Sequence, residues 1–197
     1  MLDSPVWEID ANKSTNTDAK KHTMRLMIFR HAKTEKGAPG TGDRDRPLAA
    51  RGLKDAPQMG AYMAHHALLP HHALVSPARR TRETWDGLAA TLPAGIPVFY
   101  EDRLYDATPE TIVAIVKATP ADIGTLVVVG HNPGLHEAAR LLIAAGDVEA
   151  RERLNEGLPT SGLAVIDFAG DDWGKLHPHS GRLERFVTPR LLKTATD

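Results

Sequence analysis

The chain has 197 residues, of which 42% are hydrophobic and 25% are charged, and its formal net charge is -1 at pH 7. A chain of this length can bury a core of its own, and its near-neutral charge creates no global field that would favour nucleic acid or an anionic membrane as a partner. It contains no cysteine, which excludes disulfides, thiolate nucleophiles and cysteine-ligated zinc and favours a cytoplasmic location.

The N-terminal segment and the apolar runs argue against membrane targeting. The longest apolar stretches, such as TLVVV at 125–129, are far shorter than the ~18 residues that a membrane span needs. Residues 1–23 are polar and lack the basic start and apolar centre of a secretory signal. We expect residues 1–23 to form a disordered tail and residues 24–197 to form a single domain, with no membrane as partner.

From residue 24 onwards, short aliphatic runs alternate with helical patterns, as repeated βα units do. Helices are predicted at 54–69 (with Asp55 as a cap and Pro57 in the first turn), 78–92, 108–119 and 133–146. Strands are predicted at 25–29, 73–77, 96–100, 125–130, 162–170 and 181–190, with the apolar 125–130 strand central. The sequence therefore predicts an α/β fold, a three-layer α/β/α sandwich with a mostly parallel central sheet.

Polar residues follow three of these strands at the points where the strands end. They are Arg30 and His31 after the first strand, Ser76 and Arg80 after the second, and His131 and Asn132 after 125–130. The carboxyl ends of parallel strands share one edge, and ligands bind in the crevice beyond it. Arginine forks match phosphate oxygens, and helix N-termini offer N–H groups to an anion. We therefore expect a pocket for a phosphoryl group, which Arg46 of the DRDRPL segment could join.

Three motifs and a fourth segment resemble a known family. RHAK at 30–33, SPARRTRET at 76–84 and VVVGHNPG at 127–134 resemble the histidine phosphatase superfamily, and RPLAARG at 46–52 resembles its short SixA-type branch. The resemblance runs from about residue 25 to about residue 169 and implies a phosphoglycerate mutase-like fold. That superfamily usually has glycine after the first histidine, where this chain has Ala32, and the short branch often accepts alanine there.

The resemblance also implies roles for individual residues. It implies that His31 is the phosphoryl-accepting nucleophile and that His131 is the second histidine of the pocket. It also implies that the phosphate is bound by Arg30, Arg46 and Arg80. Asp106 falls where the superfamily usually has a glutamate acid, but it serves equally well as a helix or turn cap. Glu110 and Glu83 are weaker alternatives for the acid. No metal and no cofactor are implied.

The chemistry of these residues suits phosphoryl transfer. A neutral imidazole is a competent nucleophile towards phosphorus and forms an intermediate that water hydrolyses. The arginines, with His131 as imidazolium, would neutralise the equatorial oxygens. When the substrate is phosphohistidine, the leaving imidazole has a pKa of about 6.5 and needs little acid help. The sequence thus predicts a phosphatase with a phosphohistidine intermediate, a phosphorylated protein as favoured substrate, and phosphate or sulfate as pocket ligands.

Several alternatives stay open. A phosphatase of a small phosphorylated metabolite fits the same residues, and so does a non-catalytic phospho-residue-binding module, although a binding module has no need of the nucleophile. The short span from Arg80 to His131 leaves no room for a large lid and favours an open pocket that admits a histidine on a protein surface. Thr160 and Ser161 either bound this pocket or start a strand. The histidines of HHALLPHH at 65–72 are not expected to bind metal, because no acidic ligand accompanies them.

Overall fold

The computed structural model describes residues 23–37, 40 and 42–194. Residues 1–22 of the expected tail at 1–23 lie outside the described residues, and Thr23 is the first residue of a strand. The strands are β1 Thr23–Arg30, β2 His72–Val75, β3 Val98–Tyr100, β4 Thr125–Gly130, β5 Ile143–Gly146, β6 Leu163–Ala169 and β7 Gly181–Val187. The helices are α1 Ala50–His65, α2 Arg79–Ala89, α3 Pro109–Lys117, α4 Gly134–Leu142, α5 Val148–Glu156 and α6 Pro189–Thr194. None of the described helices has the length and apolar character needed to cross a membrane.

All seven strands form one sheet in the order β3-β2-β4-β1-β6-β7-β5. Neighbouring strands among β1 to β4 pair in parallel, and so do β5 and β7. Only β6 runs antiparallel to its neighbours β1 and β7. The prediction of a mostly parallel sheet is therefore confirmed, and the ends of β1, β2 and β4 meet at one edge.

Alternate residues of the sheet enter two separate apolar cores, because successive side chains of a strand point to opposite faces. Leu26 and Ile28 of β1 pack in the core that contains α3, α4 and α5. Met27 and Phe29 pack in the other core, against α1 and α2. The sandwich has helices on both faces, as predicted, and β4 is buried from Leu126 to Gly130.

Helix α1 begins earlier than predicted, at Ala50 rather than at residue 54, which places Pro57 inside the helix. Asp55 is not its cap: the carboxylate is 1% exposed and accepts a hydrogen bond from Arg51 Nε at 3.2 Å. Proline has no N–H, so Pro57 cannot donate a hydrogen bond to the carbonyl of Leu53, four residues earlier. Leu53 is on the exposed side of the helix, where water can donate to this carbonyl. The proline is thus tolerated at a position where the sequence suggests a helix start.

The predicted helix at 133–146 divides into α4 and the short strand β5, which pairs with β7. Gly146 has a φ of +137°, and a Cβ there would lie 2.6 Å from the carbonyl oxygen of Leu183. Helix α5 was not predicted, because only Ala150 and Leu154 of its nine residues are buried. Its start is set by Asp147, whose side chain accepts a hydrogen bond from the Ala150 amide.

Candidate active site

The register of the sheet brings the two candidate histidines together. Arg30 at the end of β1 is paired with Gly130 at the end of β4, and the His31 amide donates to the Gly130 carbonyl at 3.1 Å. The rings of His31 and His131 consequently lie with their centroids 5.3 Å apart. Helix α2, which follows β2, adds Arg80 from its first turn, and this side chain is buried.

A cavity of about 460 Å³ opens at this edge of the sheet. Its lining includes every residue that the sequence assigns to the site: Arg30, His31, Arg46, Arg80, Asp106 and His131. The other lining residues are Lys33, Thr34, Asp43, Tyr105, Asn132 and Thr160. The predicted convergence of cations at the carboxyl edge is therefore what the structure shows.

His31 is held as one tautomer. Its Nδ1 lies 2.8 Å from the carbonyl oxygen of Ala32, and because a carbonyl can only accept, Nδ1 carries the proton and Nε2 keeps its lone pair. Burial lowers the pKa of His31 to about 4, and the nearby charges of Arg80 and Arg30 act in the same direction. The ring is neutral at physiological pH, which is the state that a nucleophile requires.

His131 is also neutral, but its two nitrogens have opposite roles. Nδ1 accepts a hydrogen bond from Arg80 Nε at 3.3 Å, so that Nε2 carries the proton and donates to Ser76 Oγ at 2.7 Å. Burial, followed by the charges of Arg80 and of His31 when protonated, lowers the pKa of His131 to about 3. His131 is therefore neutral in this structure, because Arg80 occupies the nitrogen that would take the second proton, and the imidazolium stays a prediction for the phosphate-bound pocket.

Asp43 holds two of the three expected phosphate ligands. Its carboxylate accepts from Arg80 Nη2 at 2.9 Å, from Arg46 Nη1 at 3.0 Å and from the Tyr105 hydroxyl at 2.8 Å. Its backbone carbonyl also accepts from Arg80 Nη1 at 2.6 Å. The Tyr105 hydrogen bond, with the two arginines, lowers the pKa of Asp43 to about 2. Asp43 is therefore ionised and holds the guanidinium groups of Arg46 and Arg80, which both line the cavity.

Arg30 is anchored from the loop that precedes β6. Its Nη1 donates to the Leu158 carbonyl at 2.9 Å, and Asn132 Nδ2 donates to the same oxygen at 2.8 Å. The Ser161 amide lies 3.1 Å from the Arg30 carbonyl, so that this loop closes one side of the cavity and places Thr160 in its lining. Thr160 thus bounds the pocket, whereas Ser161 is buried and leads into β6.

Asp106 lies on the cavity wall in a left-handed backbone conformation, with a φ of +54°. This region is uncommon for residues other than glycine, although aspartate tolerates it better than most. Asp106 does not cap α3, because Thr108 Oγ1 accepts the hydrogen bond from the Thr111 amide. The carboxylate is exposed, and no hydrogen bond or ion pair is seen for it within the described part of the chain.

The alternatives for the acid and for a metal lie elsewhere. Glu83 accepts from the Leu48 amide at 2.7 Å and from Arg79 at 2.6 Å, and neither it nor Glu110 lines the cavity. The histidines at 65–72 are divided between the end of α1 and the start of β2. Over residues 23–37, 40 and 42–194, no group of three or more histidine, aspartate or glutamate side chains is placed to hold a metal ion.

The alanine that replaces the usual glycine fits its surroundings. Ala32 is completely buried and packs with Leu48 and Ala56. Its amide donates to Thr84 Oγ1 at 2.9 Å, and this hydroxyl donates in turn to the Arg80 carbonyl at 2.6 Å. The residue after the nucleophile is therefore tied to the helix that carries Arg80.

Comparisons with known proteins agree with this geometry. The profile of the histidine phosphatase superfamily (branch 1) matches residues 26–109. An uncharacterized protein of Mycobacterium tuberculosis is 36% identical over 164 residues, which cover 82% of this chain and all of the relative. A structure of a candidate phosphohistidine phosphatase, SixA from Agrobacterium tumefaciens, superposes with a TM-score of 0.73 at 31% identity, covering 84% of this chain and 98% of that one.

A second such SixA structure, from Nakamurella multipartitia, gives a TM-score of 0.74 at 27% identity, covering 85% of this chain and 96% of that one. The α/β/α fold, with two histidines and three arginines in a cavity at the carboxyl edge of its sheet, is that of a phosphatase. The chain belongs to the histidine phosphatase superfamily, in its SixA-type branch.

Proposed function

We propose that this protein removes the phosphoryl group from phosphohistidine on other proteins, with a phosphohistidine on His31 as the enzyme intermediate. The observation that carries this proposal is the state of His31, whose Nδ1 is fixed on the Ala32 carbonyl while its ring is neutral and adjoins three arginines. The names of the similar SixA proteins support the choice of substrate.

In the first step, the lone pair of His31 Nε2 attacks phosphorus. The bond from phosphorus to the substrate imidazole breaks and the departing nitrogen keeps the electron pair, and the ring leaves as neutral imidazole because its other nitrogen carries a proton. Arg30, Arg46 and Arg80 stabilise the charge on the equatorial oxygens, a role that preorganised donors fill well. In the second step, water attacks the phosphorylated His31 and releases inorganic phosphate.

His131 supports the transfer by holding Arg80. Because its Nδ1 accepts from Arg80 Nε, the ring orients the guanidinium while Ser76 orients the ring. A bound phosphate would bring negative charge to the pocket and offset the cations that disfavour protonation of His131. His131 would then take up a proton on binding, which requires its Nδ1 to exchange the Arg80 contact for a phosphate oxygen.

The choice of phosphohistidine over an alkyl ester rests on the leaving group. An alkoxide must be protonated as it leaves, whereas an imidazole of pKa about 6.5 needs little help. Asp43 is ionised and cannot serve as an acid, and Asp106 is exposed to solvent. Among the described residues, the pocket lining thus offers no buried acid of the kind that ester hydrolysis favours. A small metabolite ester is the second candidate substrate.

The test compares kcat/KM for a phosphohistidine peptide, a phosphoserine peptide and small phosphate esters. We expect the phosphohistidine peptide to be the best substrate, and Asp106→Asn to reduce ester hydrolysis more than phosphohistidine hydrolysis. Asp171→Asn, an exposed aspartate in the loop after β6, is the matched control. A small ester that exceeds the phosphohistidine peptide in kcat/KM would instead identify a metabolite phosphatase.

We further infer that residues 24–197 form one domain and that the protein acts in the cytoplasm. The single sheet supports the first inference, because residues from both halves of the chain pair in it. The absence of cysteine from the sequence is compatible with a reducing compartment and supports the second.

A further inference from the structure

A second cavity, of about 670 Å³, adjoins the proposed phosphate pocket and shares two of its residues, Arg30 and Asn132. The segment at 157–159 forms one wall of this second cavity. It is held at the Leu158 carbonyl, which accepts from both shared residues. A substrate that extends beyond its phosphoryl group can therefore occupy both cavities at once. We refer to the second cavity as the side groove.

The side groove combines apolar surface with positive charge. Its accessible apolar lining includes Pro159 and Leu191, whereas Leu158 and Phe186 are buried in the core. Its charged lining consists of Arg30, Arg153, Arg190 and the single carboxylate Glu156. Arg30 belongs to the phosphate pocket and Arg153 pairs with Glu149, so among the described residues Arg190 is the guanidinium that remains for a ligand. Arg190 favours an anionic group in the groove, while the accessible apolar residues favour a side chain that can be removed from water.

Arg190 is the arginine best placed to meet a ligand. Arg153 already pairs with Glu149 on its own helix. Arg190 is exposed, and among the described residues it has no ion pair or side-chain hydrogen bond. A free guanidinium at the rim of an apolar groove can pair with a carboxylate without first losing a partner.

We propose that the side groove binds the peptide segment next to the phosphorylated histidine, and that it selects a segment with an apolar residue and an acidic residue. This inference rests on the proposed function, since it assigns the sequence preference of the same site. The apolar side chain packs on Pro159 and Leu191, and the acidic side chain pairs with Arg190. Arg30, at the junction, belongs to both the phosphate pocket and the groove.

The test uses two phosphohistidine peptides that are identical except for one flanking residue, glutamate in one and lysine in the other. The measured quantity is the ratio of their kcat/KM values, which cancels any general change in catalysis. We expect the wild type to prefer the glutamate peptide by about two- to fivefold, which lies within the range of one exposed ion pair. Arg190→Glu should reverse this preference so that the lysine peptide is the better substrate.

The matched control is Arg140→Glu, which makes the same charge change on α4, in the lining of a separate cavity that shares no residue with the groove. It should keep the wild-type ratio. A kcat/KM ratio near one in the wild type, or an equal shift of this ratio in both variants, would contradict peptide binding in the side groove but not the proposed function. Hydrolysis of a small phosphate ester with no turnover of either peptide would instead contradict the proposed function itself.

Discussion

Burial keeps both histidines of the pocket neutral, and different contacts fix their tautomers. His31 donates a hydrogen bond from Nδ1 to a carbonyl and keeps a lone pair at Nε2. His131 donates a hydrogen bond from Nε2 to Ser76 and accepts one from Arg80 at Nδ1. The same side chain can therefore be a nucleophile at one position and a positioning group at the other. The difference lies in which nitrogen faces a backbone carbonyl or a guanidinium.

This arrangement predicts the pH dependence of the site. Both folded pKa values, about 4 for His31 and about 3 for His131, lie below the ordinary 6.5. The unfolded chain therefore binds more protons between pH 6.5 and 4, so the contribution of these histidines to stability falls as the pH falls through that window. The nucleophile itself is lost only as the pH falls through about 4.

An NMR titration of the two rings measures these values directly. We expect midpoints well below 6.5 in the free protein, and an upward shift for His131 when inorganic phosphate is added. Midpoints near 6.5 for both rings in the free protein would show that the buried, arginine-rich environment does not control them.

Much of the site could be predicted from the sequence, because strand ends and motifs identify Arg30, His31, Arg80 and His131. Asp43 and Tyr105 could not be assigned in this way. They are 62 positions apart, and their contact depends on how two loops meet over Arg80. The only local signal for Asp43 is that it lies three residues before Arg46. This spacing is common among exposed ion pairs and does not indicate a functional site.

Among the secondary-structure elements, α3 and α4 meet closely beside the active site. A Cβ on Gly134, at the start of α4, would lie 2.0 Å from the carbonyl oxygen of Ala107, the neighbour of Asp106. Only glycine permits this approach. The wall that carries Asp106 is therefore positioned by the first residue of the helix that follows His131.

Gly134→Ala should destabilise the protein by about 1–3 kcal/mol, because the backbone must move to relieve the clash. Urea denaturation measures this change. Gly124→Ala is the matched control, since a Cβ there meets nothing closer than the His71 ring at 3.7 Å. Equal stability of the two variants would mean that Gly134 does not pack tightly against Ala107, which precedes α3.

Strong periodicity predicted α3 and β4 well, whereas β5 and α5 were missed. Strand β5 continues the apolar pattern of α4, and its identity comes from pairing with β7, which is far away in the sequence. Helix α5 buries only two of its nine residues, so it carries little amphipathic signal. Elements whose stability depends on distant partners are the ones that local sequence cannot specify.

At the scale of the whole molecule, the sheet separates two cores, and each contains one tryptophan. Trp85 of α2 is in the core with α1, and Trp173 is in the core with α3 to α5. Because both cores share the strands between them, neither face can lose its packing without exposing the sheet. The described residues should therefore unfold as one cooperative unit.

Two variants test this prediction, Trp85→Phe and Trp173→Phe, each combined with Trp7→Phe so that one tryptophan remains. Within each variant, fluorescence and far-UV circular dichroism should give the same urea midpoint. Midpoints that differ between the two probes in either variant would mean that the faces unfold separately, contrary to a single domain.

The central claim is that His31 receives the phosphoryl group, and rapid quench with labelled phosphohistidine substrate tests it most directly. The wild type should accumulate an acid-labile phosphoenzyme that His31→Ala cannot form. Arg80→Ala should still be labelled, but about a hundredfold more slowly, the ~3 kcal/mol typical of one lost transition-state contact. If the wild type shows no label at any time and His31→Ala turns over at nearly the wild-type rate, His31 is not the nucleophile.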